Sequence, residues 1–520
     1  MMREHDAPAA RQQRKMKLRT RIERKSGAPI LRWRAKDLTP DQKYSDTTFS
    51  VVMDPAIEAD SETYADVERQ IVALGAKIIE KSSNQFQDSL VIKAPKDKAA
   101  AVSALEHVDL VVPRAKPKAL ITVDGVSDVA LVPPGNSCSA AQTDKQAAII
   151  DTLNGPKTGL QNRGGGVNVI VWDFIPPSSN MKGMAEFTDR PGGGAVVIRD
   201  EQGLEDWHGA AVASTCCGKY AGLATKATLI MLQLSDDITA DLSVIDTICT
   251  NSSKPTIVNM SFALEYQSVN TAPDQAAVRD SIRALDDMLE DLKGRHNQLM
   301  FVVAGGNESL NPCDTTDPVS YGSGPNSCSN CYFWPQSRLG EPYDHTDVPF
   351  LLIGATEVFE NAPHQRIASF SNFGACMHTF AHGEPVCAAY TDSGGFISTT
   401  GTSFSAPLFA SLAAMRWSQR LSDSADDVTS YLISNAAATV DLSPEAVTAN
   451  TNTNFSEVTS AMKTGGAEAN PYDGGVGTLV GKDVVPVDDP VSSSVWIAVL
   501  GAVLAILIIG GYIYSRRRGS

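Results

Sequence analysis

The chain has 520 residues, 42% of them hydrophobic and 20% charged, which is long enough for two or three domains and unlike a disordered composition. Its net charge is −16, from 60 acidic against 44 basic residues, which argues against a nucleic acid as partner. Nine cysteines, none before Cys138, suit some disulfides in an oxidising compartment, and the odd number leaves at least one unpaired within the chain.

Residues 1–46 form a basic segment, with runs such as Arg14-Lys15-Met16-Lys17 and Arg19-Thr20-Arg21. A secretory signal needs an apolar stretch of about 7–15 residues near the start. Gly27-Ala28-Pro29-Ile30-Leu31 is too short for one. Three explanations stay open: a start other than the one given, a tail anchor inserted after synthesis, or an organellar presequence, which Glu4, Asp6 and Glu23 fit poorly. A nuclear signal would conflict with the membrane anchor described below.

Residues 47–115 read as a small α+β unit. Thr48–Met53 is strand-like, Ser61–Leu74 has helical spacing with Val67, Ile71 and Leu74 on one face, and Ser61 suits an N-cap. Two strands at Ala76–Ser82 and Ser89–Lys93, a helix over Lys96–His107 and a strand at Val108–Val112 complete the ferredoxin-like order β-α-β-β-α-β. Residues 116–145, with Pro117 and Pro133-Pro134-Gly135, read as an exposed linker.

From 146 to 440, apolar strands alternate with helices: Val167–Trp172, Ala227–Leu234, Thr256–Met260, Met300–Ala304 and Phe350–Gly354. Continuous apolar strands suit a parallel sheet with helices on both faces, so this part is predicted to be α/β. Residues 441–494 lack periodicity and read as a flexible stalk. Val495 to Tyr514 is uncharged and mostly apolar, and a 515–520 tail with Arg516-Arg517-Arg518 follows. As a helix rising about 1.5 Å per residue, 495–514 would span about 30 Å, a bilayer's hydrocarbon thickness. The chain is therefore expected to be single-pass, with the lipid bilayer as a partner.

Four stretches carry the chemistry. Gly401-Thr402-Ser403-Phe404-Ser405-Ala406-Pro407 sets a serine at the start of a helix that is apolar nearly all round. Free N–H groups and the dipole at that end would stabilise an oxyanion. A serine hydroxyl needs a base to act as a nucleophile, and Asp206-Trp207-His208-Gly209 supplies His208. The base needs an acid to fix its tautomer. Val167–Asp173 is an apolar strand ending in Asp173, and sites in open α/β sheets gather at the carboxyl ends of strands. Asp206 is a lower-ranked alternative acid, since it lies beside the base in sequence. Phe301–Asn307 is another apolar strand leading into Gly305-Gly306-Asn307, whose side-chain amide could donate to the oxyanion.

Asp, His, Asn and then G-T-S-x-S-A-P, in that order, resemble the subtilisin-like serine proteases, the subtilase family. Pro255–Ala263 is similar to the family's substrate-lining strand, and Phe370-Ser371-Asn372-Phe373-Gly374 to its turn before the serine. The resemblance spans about 47–440 and implies a subtilisin-like parallel sheet preceded by an inhibitory propeptide, the ferredoxin-like unit. It implies Asp173, His208 and Ser403 as catalytic residues and Asn307 in the oxyanion hole. By the same resemblance Ser261, Phe262, Ala263, Ala304, Gly305 and Gly306 bind substrate. The expected activity is a self-inhibited, membrane-tethered serine endopeptidase acting on polypeptides, with its propeptide as intramolecular inhibitor. The catalytic domain is expected to be extracytoplasmic.

The sequence departs from the family after the acid, where Phe174 and Ile175 replace Ser or Thr and Gly. It departs again after the base, in Gly209-Ala210-Ala211, and at Ala263, where Gly is usual. These departures motivate an alternative, a weak or inactive subtilisin-like ectodomain used for binding. Calcium is common in the family, but no ligand set maps onto this sequence and no other cofactor is identifiable. Cys328 and Cys331 have the spacing of a zinc site with Cys313 nearby, yet lack a second pair, so disulfides in a surface loop are the reading preferred. Asn251-Ser252-Ser253 and Asn454-Phe455-Ser456 permit glycosylation.

Overall fold

The computed structural model describes residues 46–119 and 162–434, apart from 85, 177–183, 199–206, 236, 267–271, 308–330, 333–347, 359–364, 373–376, 385 and 391–394. The amino-terminal unit runs β1 (Asp46–Met53), α1 (Glu62–Ala73), β2 (Lys77–Ser83), β3 (Asp88–Pro95), α2 (Lys96–Val102) and β4 (Val108–Pro113). Its strands form an antiparallel sheet in the order β2-β3-β1-β4. Ser61 caps α1 by accepting from the Tyr64 amide at 3.1 Å. Tyr64, Val67 and Ile71 of that helix join Phe49, Val51, Leu90 and Ile92 of the sheet in one core.

Ala115–Ala119 then forms β5. This corrects the predicted linker, which was to begin at residue 116. Its Ala-Lys-Pro-Lys-Ala sequence has little strand character of its own, and what orders it is a non-local partner, β10 (Phe262–Tyr266). Pro117 is tolerated because a strand added at an edge need not donate every amide.

The larger unit follows as β6 (Asn168–Asp173), α3 (Ala185–Thr188), β7 (Val196–Ile198), α4 (His208–Cys217), β8 (Thr228–Gln233), α5 (Ile238–Asn251), β9 (Thr256–Met260), β10, α6 (Ala272–Arg295), β11 (Leu299–Ala304), β12 (Cys331–Tyr332), β13 (Phe350–Val358), β14 (Gln365–Ile367), β15 (Thr379–Glu384), β16 (Val386–Tyr390), β17 (Gly395–Thr399), α7 (Thr402–Gln419) and α8 (Ala425–Ser434). The main sheet runs β14-β13-β11-β9-β6-β8-β7, with β15 also beside β13. All its pairings are parallel except that of the edge strand β14.

Side chains alternate across a strand, so each buried strand feeds two cores. Val169 and Val171 of β6 pack with α4 and α7 on one face. Ile170 and Trp172 pack with α5 and α6 on the other. This double cover is why the strands read as unbroken apolar runs. Helix α7 is buried from Thr402 to Ser418, deeper than a surface helix with one apolar stripe.

The two units meet through α5 and α6. Phe86, between β2 and β3, is buried in the core formed by those helices. Ser82 hydrogen-bonds Asp237, and Asn84 Nδ2 donates to Thr239 Oγ1 at 2.6 Å, both at the start of α5. Among the described residues no helix is long and apolar enough to cross a membrane, and the predicted span 495–514 lies outside them. The stalk 441–494, the tail 515–520 and the segment 1–45 also lie outside them.

Candidate active site

Asp173 ends β6 at the carboxyl edge of the sheet. Its Oδ1 accepts the Phe174 amide at 2.7 Å and lies 2.7 Å from His208 Nδ1. A carboxylate oxygen only accepts, so Nδ1 is assigned the proton and Nε2 is left as the basic nitrogen. His208 opens α4, and both side chains are 0% exposed. Helix and strand come this close because position 209 is glycine. A Cβ there would lie 2.3 Å from the Phe174 carbonyl oxygen, which Gly209 N–H meets at 2.8 Å.

The unusual residues after Asp173 have structural roles. Phe174 supplies its backbone amide to the carboxylate, and Ile175 is buried in the core behind α4. Trp172, just before the acid, donates its indole N–H to Asp241 at 2.9 Å and stacks edge-on against Phe262 at 5.2 Å. Asp206, the alternative acid, lies outside the described residues.

Ser403 lies in the first turn of α7, after Gly401, whose φ of 148° suits glycine. The Ser403 hydroxyl donates to the Ser261 carbonyl at 3.3 Å, and the Ser261 hydroxyl donates to the Ser403 carbonyl at 3.1 Å. Asn259 Nδ2 donates to the Ser261 hydroxyl oxygen at 2.9 Å, so β9 braces the helix start. The imidazole of His208 is 6.3 Å from the ring of Phe404, the residue after Ser403, centroid to centroid. Ser403 too is 0% exposed.

Asn307 follows β11 through Gly305 and Gly306. Its Oδ1 accepts both the Thr402 amide, at 2.9 Å, and the Thr402 hydroxyl, at 2.8 Å. The Thr402 hydroxyl oxygen in turn accepts Gly306 N–H at 3.0 Å. Asn372 clamps the same loop, donating Nδ2 to the Gly305 carbonyl and its amide to the Gly306 carbonyl, each at 3.0 Å. Ser371 accepts the Ala355 amide at 2.9 Å and holds that turn on β13. The sequence pattern contained Thr402, Ser371, Asn372 and Asn259 without revealing these roles, because each acts through a partner some 95 or more residues away or through a backbone atom, save for the local Asn259–Ser261 contact.

The structure thus brings Asp173 to His208, Ser403 to Ser261, and Asn307 to the residue before Ser403. Phe262 and Ala263 lie on β10, where β5 runs antiparallel in the register Phe262↔Ala119, Ala263↔Lys118 and Leu264↔Pro117. Ala304 ends β11, and Gly305 is pinned by its amide to the Ile353 carbonyl at 2.8 Å.

Beyond α4 lies a buried charged group. Glu186 accepts the Tyr220 amide at 2.9 Å, and the Ala221 amide and Ser214 hydroxyl at 3.1 Å. Burial pushes its carboxyl pKa up, and those donors and Arg190 partly offset this. Burial pulls Arg190 down to about 10. Cys216 and Cys217 lie buried side by side at the end of α4, and Cys249 is free, with burial pushing its thiol up to about 12. Cys313 and Cys328, with the surface loop in which disulfides were expected, lie outside the described residues. Among the described residues no three His, Cys, Asp or Glu side chains group as a metal site, so no calcium ligands are assigned.

The subtilase family profile (Peptidase_S8) matches residues 184–465, more than half of the chain, and the chain belongs to that family. The match begins after Asp173, so the acid rests on its geometry. Alkaline serine exoprotease A of Vibrio alginolyticus is 23% identical over 259 residues, 48% of this chain and 39% of that protein. The extracellular serine proteinase of Thermus sp. (strain Rt41A) is 27% identical over 238 residues, 44% of this chain and 46% of that protein. The chain therefore matches less than half the length of either relative. Fervidolysin from Fervidobacterium pennivorans, a keratinolytic enzyme related to subtilisin, overlays with a TM-score of 0.45 at 15% identity, covering 77% of this chain and 59% of that one. A cold-adapted subtilisin-like serine proteinase overlays with a TM-score of 0.34 at 19% identity, covering 54% of this chain and 86% of that one.

Proposed function

We propose that this chain is a serine endopeptidase that hydrolyses peptide bonds through an acyl-enzyme. The observation that carries the reading is the buried 2.7 Å contact between Asp173 and His208, at the sheet edge to which Ser403 and Asn307 also belong. Ser403 Oγ attacks the substrate carbonyl carbon while His208 Nε2 takes its proton. Asp173 holds the imidazole and stabilises its charged form. The Asn307 side-chain amide and the Ser403 backbone N–H stabilise the oxyanion. His208 then protonates the leaving amine, and water attacks the ester to regenerate the serine.

The same chain is proposed to be made as a zymogen. The amino-terminal unit docks on α5 and α6, and β5 pairs with β10, the edge a peptide substrate would join by strand addition. The apolar run 495–514 is proposed to tether the enzyme to a bilayer, with the catalytic unit on the extracytoplasmic side. A fluorophosphonate probe tests the catalytic reading. Labelling of the processed protein, lost in Ser403→Ala, is expected. A folded, processed protein that resists the probe would instead favour an inactive ectodomain used for binding.

A further inference from the structure

Asn259 is polar where its surroundings are not. It lies in β9, the middle strand of the main sheet, in register with Val171 of β6 on one side and Val302 of β11 on the other. It is 0% exposed. Burying an amide costs free energy unless its hydrogen bonds are replaced. Among the described residues Asn259 Nδ2 donates to the Ser261 hydroxyl oxygen at 2.9 Å, and Oδ1 meets no donor. A valine here would pack beside Val171 and Val302 without that cost. Packing therefore does not account for the asparagine, and its bond to Ser261 does.

The reason lies four residues beyond Ser403. In an α-helix the carbonyl of residue i accepts the N–H of residue i+4. For Ser403 that residue is Pro407, inside α7. Proline has no N–H, and its ring crowds the carbonyl four residues before it. The intrahelical bond that would hold the first turn cannot form at Ser403. The Ser261 hydroxyl stands in for it, donating to the Ser403 carbonyl at 3.1 Å. A serine hydroxyl has one proton and two acceptor lone pairs. By donating to the Ser261 oxygen, Asn259 directs that one proton to the Ser403 carbonyl.

We propose that Asn259 is a positioning residue for the nucleophile, acting through Ser261 to hold the first turn of α7. This rests on the proposed endopeptidase function. The turn carries both the Ser403 hydroxyl and the Ser403 N–H assigned to the oxyanion, so a shift of the helix start misplaces the two together. Ser261 also joins β9 to β10. One hydroxyl thus ties the nucleophile to the edge proposed to take a peptide.

Turnover of fluorescently labelled casein by the processed protein tests this, with active sites counted by a fluorophosphonate probe so that only folded molecules enter kcat. Asn259→Leu and Ser261→Ala should each lower kcat by about tenfold, near the worth of one neutral hydrogen bond, with KM little changed. Because the two residues act in series, the double variant should lose about as much as either single one. Pro407→Ala returns an N–H to position 407, so Ser261→Ala should cost clearly less in that background. An equal cost of Ser261→Ala with and without Pro407 would overturn the proposal, whether or not Asn259→Leu folds. So would losses that multiply in the double variant, or a normal kcat beside a lowered melting temperature, either of which leaves Asn259 purely structural. A rise in KM at constant kcat would move its role to substrate binding. A folded parent protein that neither takes the probe nor cuts casein removes the endopeptidase reading, and the positioning role with it.

Discussion

Thr402 donates twice to a single atom, the Oδ1 of Asn307, through its amide at 2.9 Å and its hydroxyl at 2.8 Å. That holds Oδ1 toward the helix start. Asn307→Leu is expected to lower kcat by about 10²–10³ with little change in KM, because the lost donor acts on charge that develops in the transition state. Thr402→Val should lower kcat by about tenfold, near the cost of one neutral hydrogen bond, and Thr402→Ser should restore most of it. A rise in KM at constant kcat in either variant would remove Asn307 from the oxyanion hole.

Asp173→Asn should lower kcat by about 10⁴ with the fold retained, since an amide can present its NH₂ to Nδ1 and stabilise the wrong tautomer. Gly209→Ala tests the same pair from the backbone. Its Cβ would lie 2.3 Å from the Phe174 carbonyl oxygen and 3.2 Å from Asp173 Cβ, so helix and strand must separate. A displacement of about 1 Å at a catalytic base costs on the order of 10²-fold in rate. Active-site titration beside kcat separates misplacement from unfolding: a normal count of active sites turning over slowly is expected.

Phe86 is 2% exposed, in a core shared with residues of the main sheet, β10, α5 and α6. Phe86→Ala should weaken docking of the amino-terminal unit by about 3–5 kcal/mol, the usual cost of emptying a buried phenylalanine site. If this unit restrains the enzyme, probe labelling of Ser403 should appear earlier after synthesis and the released unit should inhibit less in trans. Unchanged inhibition would place the restraint in the β5–β10 pairing alone.

The four positions proposed as catalytic stand out in the sequence because each sits where a repeating pattern stops. Asp173 ends an apolar strand, Asn307 follows one through two glycines, and His208 and Ser403 lie in the first turn of buried helices. What orients them was not legible. The Phe174 amide that supports Asp173 is a backbone group, indifferent to the side chain that made this position look aberrant. Asn372, which clamps Gly305 and Gly306, is 67 residues from Gly305 and looks like any turn asparagine. β5 was missed for a related reason: alanine, lysine and proline have low strand propensity, and a strand ordered by a distant edge leaves little local signal.

Glu186 connects burial to pH. Its carboxyl pKa is raised by burial, so the folded protein holds that proton at pH values where the unfolded chain has already released it. Over that window the folded state binds more protons, and stability falls as pH rises from the ordinary carboxylate value through the raised one. Glu186→Gln removes the titration, so the urea midpoint followed from about pH 4 to about pH 8 should lose this component of its slope. The variant also loses one acceptor among those meeting Tyr220, Ala221 and Ser214, which lowers stability by a pH-independent amount. The slope is therefore the diagnostic, and an unchanged slope beside a uniform offset would mean that Glu186 matters only as a hydrogen-bond acceptor for the loop after α4.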